Sequence, residues 1–208
     1  MRLSVMQPYF LPYLGYFDLI DKSDLFIAFD TAQYMRQGWV NRNKIETGYI
    51  RVPVKKHQNR VAIKDVEISD CDWRTDLFNK LKVYRKSPVY DKIINFLERC
   101  LEPEFETIGE LNIHVLKEVC ELLGITTPIV AYSKMSLNLG TVKSPDEWAL
   151  RISEALGATT YLNLPGGKEF FDKSKWKDIE LRFLDTKPGL SIIHDLMENR
   201  SELCEYFS

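Results

Sequence analysis

The chain has 208 residues, of which 45% are hydrophobic and 12% aromatic, and its formal net charge is −2. This length and composition predict one domain with a well-buried core. The near balance of charge excludes the basic face that sequence-independent nucleic-acid binding needs, so we expect a small-molecule partner and no DNA. The chain opens on a strand pattern without a leader, and no apolar run approaches the roughly 18 residues of a membrane span. We therefore interpret the protein as cytoplasmic, with no membrane insertion.

The four cysteines are scattered along the chain and include no C-x-x-C spacing. They are Cys71, Cys100, Cys120 and Cys204. Cys100 and Cys120 fall in segments with the pattern of a buried helix. The sequence therefore predicts reduced core thiols, without a disulfide framework.

The first 30 residues have the pattern of a strand, a loop, a helix and a second strand. Leu3–Met6 is a short apolar run that ends at Gln7 and Pro8, where proline removes a backbone donor. Gly15–Asp21 has apolar residues at helical spacing, and Leu25–Phe29 is a second apolar strand that ends at Asp30. Such a crossover lays two parallel strands side by side. We expect the loops after their carboxyl ends, residues 7–13 and 30–38, to form a ligand crevice.

A β-hairpin and a further extended segment are predicted next. Trp39–Ile45 and Tyr49–Val54 are rich in strand-forming residues, and Gly48 between them suits a positive φ. Val61–Ile68 alternates apolar and polar residues with one slip in phase, which favours another edge strand or hairpin with a bulge or turn.

The middle of the chain is predicted to be a helical block at about residues 73–123. Trp73–Tyr84, Tyr90–Leu101 and Phe105–Leu123 carry apolar residues three and four apart. Gly124 stands where a left-handed cap ends the last of these helices.

The last third of the chain returns to alternating strands and helices. Strands are predicted at residues 128–132, 159–162 and 179–184. A helix is expected to begin with Ser144 as cap, Pro145 in its first turn and Glu147 completing a capping box, and to end at Gly157. The whole pattern predicts an α/β fold with a Rossmann-like parallel sheet, the N-terminal strand-loop-helix-strand unit, an edge hairpin and the helical block.

The first loop carries the strongest candidates for ligand contact. Gln7, Tyr9, Tyr13 and Tyr16 are polar groups in an otherwise apolar stretch where a strand gives way to a helix. The amino end of that helix offers free N–H groups and a positive dipole end, which suit a phosphate. The alternative is an aromatic loop packed on the core.

The second loop and the predicted hairpin carry further candidates. Asp30, Gln33 and Tyr34 follow a buried strand, so Asp30 can bind a ribose hydroxyl, an amine or a metal, or cap the next turn. After Trp39, the run Asn41-Arg42-Asn43-Lys44 places the two asparagines on one face and the two cations on the other. Arg42 suits bidentate binding of phosphate or carboxylate. The alternative is a solvated edge strand that Lys44 protects from pairing.

Weaker candidates lie elsewhere in the chain. Ser133 and Lys134 follow a predicted strand and could meet a phosphate, and the run 163–168 follows another but lacks the spacing of a phosphate loop. The histidines, His57, His114 and His194, have no shared spacing that indicates zinc, so no metal is predicted.

These residues together resemble the WbqC-like family, small bacterial proteins encoded in surface-polysaccharide gene clusters. The resemblance rests on Met6-Gln7-Pro8-Tyr9-Phe10, Pro12 to Phe17, Ser23 to Phe26 with Asp30 and Gln33-Tyr34, Trp39 to Ile45 and Val52-Pro53-Val54, and continues more loosely to the end of the chain. It implies modification of an amino sugar, by transfer of an acyl or aminoacyl group such as glycyl to the amine of a nucleotide-linked deoxysugar.

A more distant similarity concerns the H-x-G-H nucleotidyltransferases and pantothenate synthetase, in which a strand, that motif, a helix and a second strand bind ATP. The two histidines correspond to Tyr13 and Tyr16 here. Tyrosine donates a hydrogen bond but carries no positive charge at neutral pH, which argues against adenylation.

The leading hypothesis is therefore an acyltransferase in which the amine of a nucleotide sugar attacks a thioester or an acyl-adenylate, without an obligatory cofactor. Asp30 is expected to hold or deprotonate the amine. Gln7, Tyr9 and Asn43 would orient the substrate or stabilise the oxyanion, and Arg42, Lys44 and Lys134 would bind the phosphates. Further substrate contacts are expected from Tyr13, Tyr16, Gln33, Tyr34, Trp39, Asn41 and Ser133.

The donor could arrive on a carrier protein or as aminoacyl-tRNA. The alternatives to an acyltransferase are an ATP-dependent ligase or nucleotidyltransferase, and a non-catalytic nucleotide-sugar binding protein.

Overall fold

The structure is a computed structural model that describes residues 1–198. Its strands are β1 (Arg2–Met6), β2 (Leu25–Ala28), β3 (Arg42–Ile45), β4 (Gly48–Arg51), β5 (Ile129–Ala131), β6 (Thr160–Asn163) and β7 (Glu180–Phe183). Its helices are α1 (Leu14–Asp21), α2 (Trp73–Leu81), α3 (Tyr90–Leu101), α4 (Ile108–Leu122), α5 (Glu147–Ala155) and α6 (Ile192–Met197). The predicted α/β class is confirmed.

Five strands form one parallel sheet in the order β5-β2-β1-β6-β7. Strand β1 pairs with β2 from Leu3 opposite Leu25 to Met6 opposite Ala28, as a crossover through α1 requires. The chain then moves outward to β5 and returns to the other side of β1 with β6. The direction of winding therefore reverses between β1 and β6, and a parallel sheet usually binds its ligand in the crevice at such a point.

Alternation along the strands divides the core between the two faces of the sheet. Phe26 and Ala28 belong to a large cluster with α1, α2, α3, α4 and α6, whereas Leu3, Val5 and Ile27 belong to a smaller cluster with α5. Helices thus cover both faces, which explains why consecutive residues of β1 and β2 are buried on both sides of the sheet.

The hairpin of β3 and β4 is confirmed, and it forms its own two-stranded sheet beside the main one. Gly48 has a φ of +132°, as the turn was predicted to require. Both strands are shorter than expected, because Trp39 and Val40 lie in turns and Pro53 interrupts the second run.

The prediction of an edge strand or hairpin at residues 61–68 is wrong. This segment contains a 3-10 turn at Ile63–Asp65, the turn that the slip in phase allowed for, and its pairing is limited to isolated bridges of Ala62 with Gln33, Glu67 with Thr107 and Ile68 with Val54. The break in the alternation of apolar and polar residues explains why a turn forms here and not a strand. Ile63 and Val66 are both fully buried, and a three-residue spacing brings two side chains to one face of a turn but not of a strand.

The helical block is confirmed as α2, α3 and α4, with shorter bounds for the first and last helices. The first becomes a 3-10 turn after Leu81, and the last begins behind Thr107, whose hydroxyl and Glu110 form a capping box. Gly124 follows α4 with a φ of +68°, so the predicted left-handed cap is confirmed.

The predicted capping box at the start of α5 is wrong. Asp146 is the N-cap and makes no side-chain capping bond. The Ser144 hydroxyl donates to the Asp146 carboxylate, and Glu147 accepts instead from the Lys143 N–H at 2.9 Å. The end of this helix at Gly157, with a φ of +65°, is as expected.

The cysteines agree with the prediction in part. Cys100 and Cys120 are free and buried, and burial raises the pKa of each thiol to about 12. Cys71 is free but exposed, because it lies in the turn before α2 and not in the helix. Cys204 lies outside the described residues.

The helices within residues 1–198 do not combine the length and the apolar character that crossing a bilayer requires.

Two buried asparagines hold the first loop, residues 7–13, from behind. The Asn112 amide on α4 donates to the carbonyls of Pro8, at 2.8 Å, and Val40, at 2.6 Å. The Asn43 amide on β3 donates to the Leu11 carbonyl at 2.9 Å. Both asparagines are buried, and both replace the water that these carbonyls lose on folding.

The segment that leads into α6 holds the end of the same loop. The Ser191 hydroxyl donates to the Leu11 carbonyl, and the Ile192 N–H donates to the Pro12 carbonyl, both at 2.8 Å. Leu11 itself has a positive φ of 44°. The loop therefore keeps its conformation through donors from distant segments and not through helix or sheet bonds of its own.

We expect Asn112→Leu to lower the free energy of unfolding by about 3 kcal/mol, because it leaves two buried carbonyls without a donor. Urea denaturation followed by circular dichroism measures the change. Asn95→Leu on the exposed face of α3 is the matched control and should change stability by less than about 0.5 kcal/mol. Equal losses for the two variants would contradict the proposed role of Asn112.

Candidate functional site

A cavity of about 1050 Å³ opens at the carboxyl ends of β2, β1 and β6. Gln7 follows β1, Thr31 follows β2, and Asn163 ends β6, so the cavity lies across the point where the winding of the sheet reverses. Trp148 and Pro188 line it from α5 and from the segment before α6. Its volume is at the upper end of the range of about 300–1,000 Å³ usual for small-molecule sites.

Six of the predicted site residues line this cavity. They are Gln7, Tyr9, Tyr13, Gln33, Trp39 and Asn43. They come from the first loop, the loop after β2, and the start of the hairpin. The structure thus brings together residues from all three of the stretches that sequence patterns selected.

Tyr9 combines burial with a hydroxyl that is available to a ligand. Burial raises the pKa of Tyr9, so the phenol stays protonated well into alkaline solution. Within residues 1–198 its hydroxyl has no hydrogen-bond partner, and its ring packs 5.7 Å from the ring of Tyr16. Tyr9 therefore offers a neutral donor from a fixed ring.

Tyr16 lies under the first loop and does not line the cavity. Its side chain is fully buried, and its hydroxyl donates to the Gln7 carbonyl at 2.7 Å. Burial raises the pKa of this phenol well above its ordinary value. Tyr16 consequently supports the loop, whereas Tyr13, half-buried at the start of α1, lines the cavity.

The ring of Tyr13 packs closely against Gly15 in the first turn of α1. A Cβ atom at Gly15 would lie 2.6 Å from the Cε2 atom of that ring and 3.0 Å from the Thr186 side chain. A larger residue at position 15 would therefore have to displace the Tyr13 ring.

Asp30 is buried and its carboxylate contacts the turn after β5. One oxygen accepts from the Ser133 N–H at 2.9 Å, and the Ser133 hydroxyl donates to the other. Asp30 and Ser133 meet at one edge of the sheet, but neither lines the cavity. The Asp30 carboxylate therefore binds the distant 3-10 turn Tyr132–Lys134 that follows β5. Lys134 follows Ser133 and is exposed.

The run 41–44 alternates as predicted. Asn41 and Asn43 are buried, and the Asn41 amide donates to the Val52 carbonyl at 2.8 Å. Arg42 donates to the Gly38 and Gln37 carbonyls and its guanidinium carbon lies 4.9 Å from the centre of the Tyr49 ring. Lys44 is exposed. Of these four side chains only that of Asn43 lines the cavity.

Tyr34 is buried behind the second loop, with its ring 5.0 Å from that of His57. It is the remaining predicted contact that does not line the cavity. Its neighbour Gln33 is exposed and faces the opening.

The wall on the α5 side was missed by the sequence analysis. We call the rings of Phe29, Trp148, Tyr161, Phe170 and Phe171, all of which line the cavity, the aromatic wall. The run 163–168 lies beside it and contributes Asn163 and the turn Pro165–Gly167. Its glycines were the available signal, but a strand order that brings β6 against β1 was needed to interpret them.

Asn163 is fixed at the end of β6 by a short chain of hydrogen bonds. Its amide donates to the Tyr161 hydroxyl at 3.0 Å, which donates to the Val5 carbonyl at 3.1 Å. Its side-chain oxygen accepts from the Leu164 N–H at 2.6 Å. A Cβ atom at Gly167 would lie 3.3 Å from the Asn163 amide carbon, so the glycine permits this approach.

The lining of the cavity is uncharged. Among the described residues, those that line it include no aspartate, glutamate, histidine, lysine or arginine. Its polar side chains are amides and hydroxyls, which recognise neutral donors and acceptors. A charged group would lose its hydration there without gaining an ion pair.

Lys175, which follows Phe171 of the aromatic wall in the chain, forms ion pairs with the start of α5. Its ammonium lies 2.9 Å from Asp146 and 3.1 Å from Glu147. The pKa of Asp146 is lowered by the Ser144 hydroxyl and then by Lys175, and that of Glu147 by the Lys143 N–H and then by Lys175. Since Trp148 follows directly, this ion cluster positions one side of the cavity.

One possible set of metal ligands occurs within residues 1–198. Glu46, His194 and Glu198 each offer a ligand atom within 4.8 Å of the others. The Nδ1 atom of His194 lies 3.2 Å from the Tyr84 hydroxyl. None of these residues lines the cavity.

Comparisons with known proteins agree with the resemblance found in the sequence. A model of the WbqC-like protein family matches residues 7–200. The "Uncharacterized protein Rv1507c" of Mycobacterium tuberculosis is 28% identical over 188 residues, which cover 87% of this chain and 80% of that protein. No solved structure matches the chain.

We expect Lys175→Met to lower the melting temperature at pH 6 and to lower it less at pH 3. The folded pKa values of Asp146 and Glu147 lie below the ordinary 3.8 and 4.5. Their stabilisation is therefore complete above about pH 4.5 and is lost as the pH falls through the folded values. Differential scanning calorimetry at both pH values measures the gap in melting temperature between the wild type and the variant. Lys173→Met, at a nearby exposed lysine, is the control, and a gap that stays constant with pH would refute this account.

Proposed function

This chain belongs to the WbqC-like protein family, and from that membership and the cavity we propose that it transfers an acyl or aminoacyl group to the amine of a nucleotide-linked deoxyaminosugar. The reaction would belong to surface-polysaccharide biosynthesis, such as that of O-antigen, and would take place in the cytoplasm. The observation that carries the proposal is a large cavity at the reversal point of the sheet with neutral, hydrogen-bonding and aromatic side chains.

The size and composition of the cavity suit such a substrate. A volume of about 1050 Å³ is sufficient for a sugar together with the nucleotide that carries it. The Gln7 amide, beside Tyr9 in the first loop, matches the hydroxyls of a sugar ring and the amide of the product. Aromatic side chains match the apolar faces of a deoxysugar and a base.

Tyr9 is the residue that we propose for stabilising the oxyanion. When the amine nitrogen attacks the acyl carbon, negative charge develops on the acyl oxygen. A fixed, protonated phenol in water-poor surroundings stabilises that charge without reorganisation. The raised pKa of Tyr9 supports this role, because the hydroxyl remains a donor throughout the working pH range.

The uncharged lining determines how the amine enters and where its proton goes during the reaction. The amine enters unprotonated, the new C–N bond forms, and the C–S or C–O bond to the leaving group breaks. We propose that the leaving group, which is a thiolate, a phosphate or the ribose oxygen of tRNA, takes the proton from nitrogen, because Asp30 is engaged with Ser133 and does not line the cavity. Asp30 would then act as a structural group and not as the base. Arg42, Lys44 and Lys134 lie outside the cavity lining, so the phosphates would face solvent at its mouth.

A second candidate is a non-catalytic protein that binds the nucleotide sugar. The specific observation in its favour is the absence of ionisable acids and bases from the lining formed by residues 1–198, tyrosine excepted. ATP-dependent ligation is less well supported. Tyr16 is buried beneath the loop with its hydroxyl bound to the Gln7 carbonyl, and Tyr13 offers a phosphate no positive charge.

We expect the purified protein to convert a dTDP-linked 4-amino-4,6-dideoxysugar to its N-acyl product, with a rate that falls at acid pH as the amine is protonated. Mass spectrometry after incubation with thioesters, with ATP plus amino acid, or with aminoacyl-tRNA measures the product. Failure of every donor, combined with tight binding of the sugar nucleotide by calorimetry, would favour the binding protein over the transferase.

Tyr9→Phe should lower kcat about 100-fold with little change in KM, because only the transition state uses the donated hydrogen bond. Steady-state kinetics with the donor found above measure both constants. Tyr49→Phe is the matched control, since Tyr49 is exposed on β4 and does not line the cavity. An unchanged kcat in Tyr9→Phe would exclude the oxyanion role.

A further inference from the structure

We propose that the aromatic wall of the cavity is a nucleobase subsite, in which a base stacks against the indole of Trp148. The inference rests on the proposed nucleotide-linked substrate, and it assigns the two ends of that substrate to different parts of the cavity. The base would lie on the α5 side, and the amino sugar beside Gln7 and Tyr9 in the first loop.

The rings of the aromatic wall are held in place before any ligand arrives. The Trp148 ring lies 5.5 Å from that of Phe29, and both contact Tyr132 behind them. On the other side, Phe171 is buried and lies 5.7 Å from the rings of both Tyr161 and Trp176. A preformed stacking surface avoids the entropic cost of ordering side chains on binding.

The edge of a base needs hydrogen-bonding groups beside the stacking surface, and the turn Pro165–Gly167 provides them. The N–H groups of Gly167 and Lys168 bond within the turn, which leaves Gly166 as its source of backbone contacts to a ligand. A Cβ atom at Gly166 would meet nothing within 4 Å, so there is open space beside this residue of the cavity lining. The Asn163 amide adds a fixed polar side chain at the end of β6. Backbone and amide groups of this kind read the donors and acceptors of a base.

Ring chemistry decides which end of the substrate enters the aromatic wall. A nucleobase is neutral and planar, so it stacks on aromatic rings without loss of ionic hydration, whereas the hydroxyls of a sugar need polar partners such as Gln7 and Tyr9 in the first loop. The uncharged lining extends along the whole cavity, so the amino sugar would enter as the neutral amine and phosphates would be destabilised inside. The phosphates can instead stay at the mouth, where Met35, Trp39 and Phe170 are exposed.

Tryptophan fluorescence and calorimetry test the subsite with uncharged probes. We expect thymidine to bind, to compete with dTDP, and to quench the protein's tryptophan emission. The methyl glycoside of a 4-amino-4,6-dideoxyhexose should neither quench it nor displace thymidine. Trp148→Phe keeps a ring, so thymidine should bind within about threefold of the wild-type affinity but the quenching should disappear.

Trp148→Leu removes the stacking ring and should weaken thymidine and dTDP binding about tenfold or more. The matched control is Tyr49→Leu, which removes an exposed aromatic ring outside the cavity lining and should bind thymidine as the wild type does. Full quenching in Trp148→Phe, or wild-type affinity in Trp148→Leu, would overturn the subsite.

The outcomes also separate this inference from the proposed function. If the dTDP-linked sugar is acylated although thymidine neither binds nor competes, transferase activity stands and the nucleobase subsite is wrong. If thymidine binds through Trp148 but no donor gives a product, the subsite stands and acyl transfer is wrong.

Discussion

The carbonyl groups of the first loop, residues 7–13, need donors on their buried side, and the rest of the site depends on this constraint. Asn43, Asn112 and Ser191 supply most of them, from β3, α4 and the segment before α6. A loop carbonyl that accepts one of these hydrogen bonds is held away from the ligand. The loop can therefore present Gln7 and Tyr9 to the cavity in one conformation, as a preorganised site requires.

Local patterns were sufficient to predict most of the elements. The proline after β1, the glycine in the hairpin turn and the three-and-four spacing of the helical block all act over a few residues, and the structure contains each predicted feature. The two failures, at Val61–Ile68 and at Ser144, lie where tertiary contacts override a local preference. There Ile63 packs into the core, and Glu147 binds Lys175 instead of completing a capping box.

The sequence predicted only the side of the cavity that the first loop and the loop after β2 form. Gln7, Tyr9 and Gln33 follow strands that are adjacent in sequence, so the crossover rule was enough to bring them together. Trp148 and Asn163 reach the cavity because β6 pairs with β1, about 160 residues away in sequence, and no local pattern encodes that pairing. The polar side chains of Asn41 and Tyr16 suggested ligand contacts, but buried carbonyls of the protein itself accept their hydrogen bonds.

The hydrogen bond from Ser191 to Leu11 also bears on when the site forms during folding. It joins residues 180 positions apart, so it is one of the most non-local contacts of the described chain. During synthesis the first loop emerges early, but its Leu11 carbonyl lacks this donor until residue 191 has left the ribosome. Contacts of such separation form late and slow the later steps of folding. Ligand binding is thus coupled to the synthesis of the segment before α6, and a product truncated before that segment would contain the loop without its ligand-binding shape.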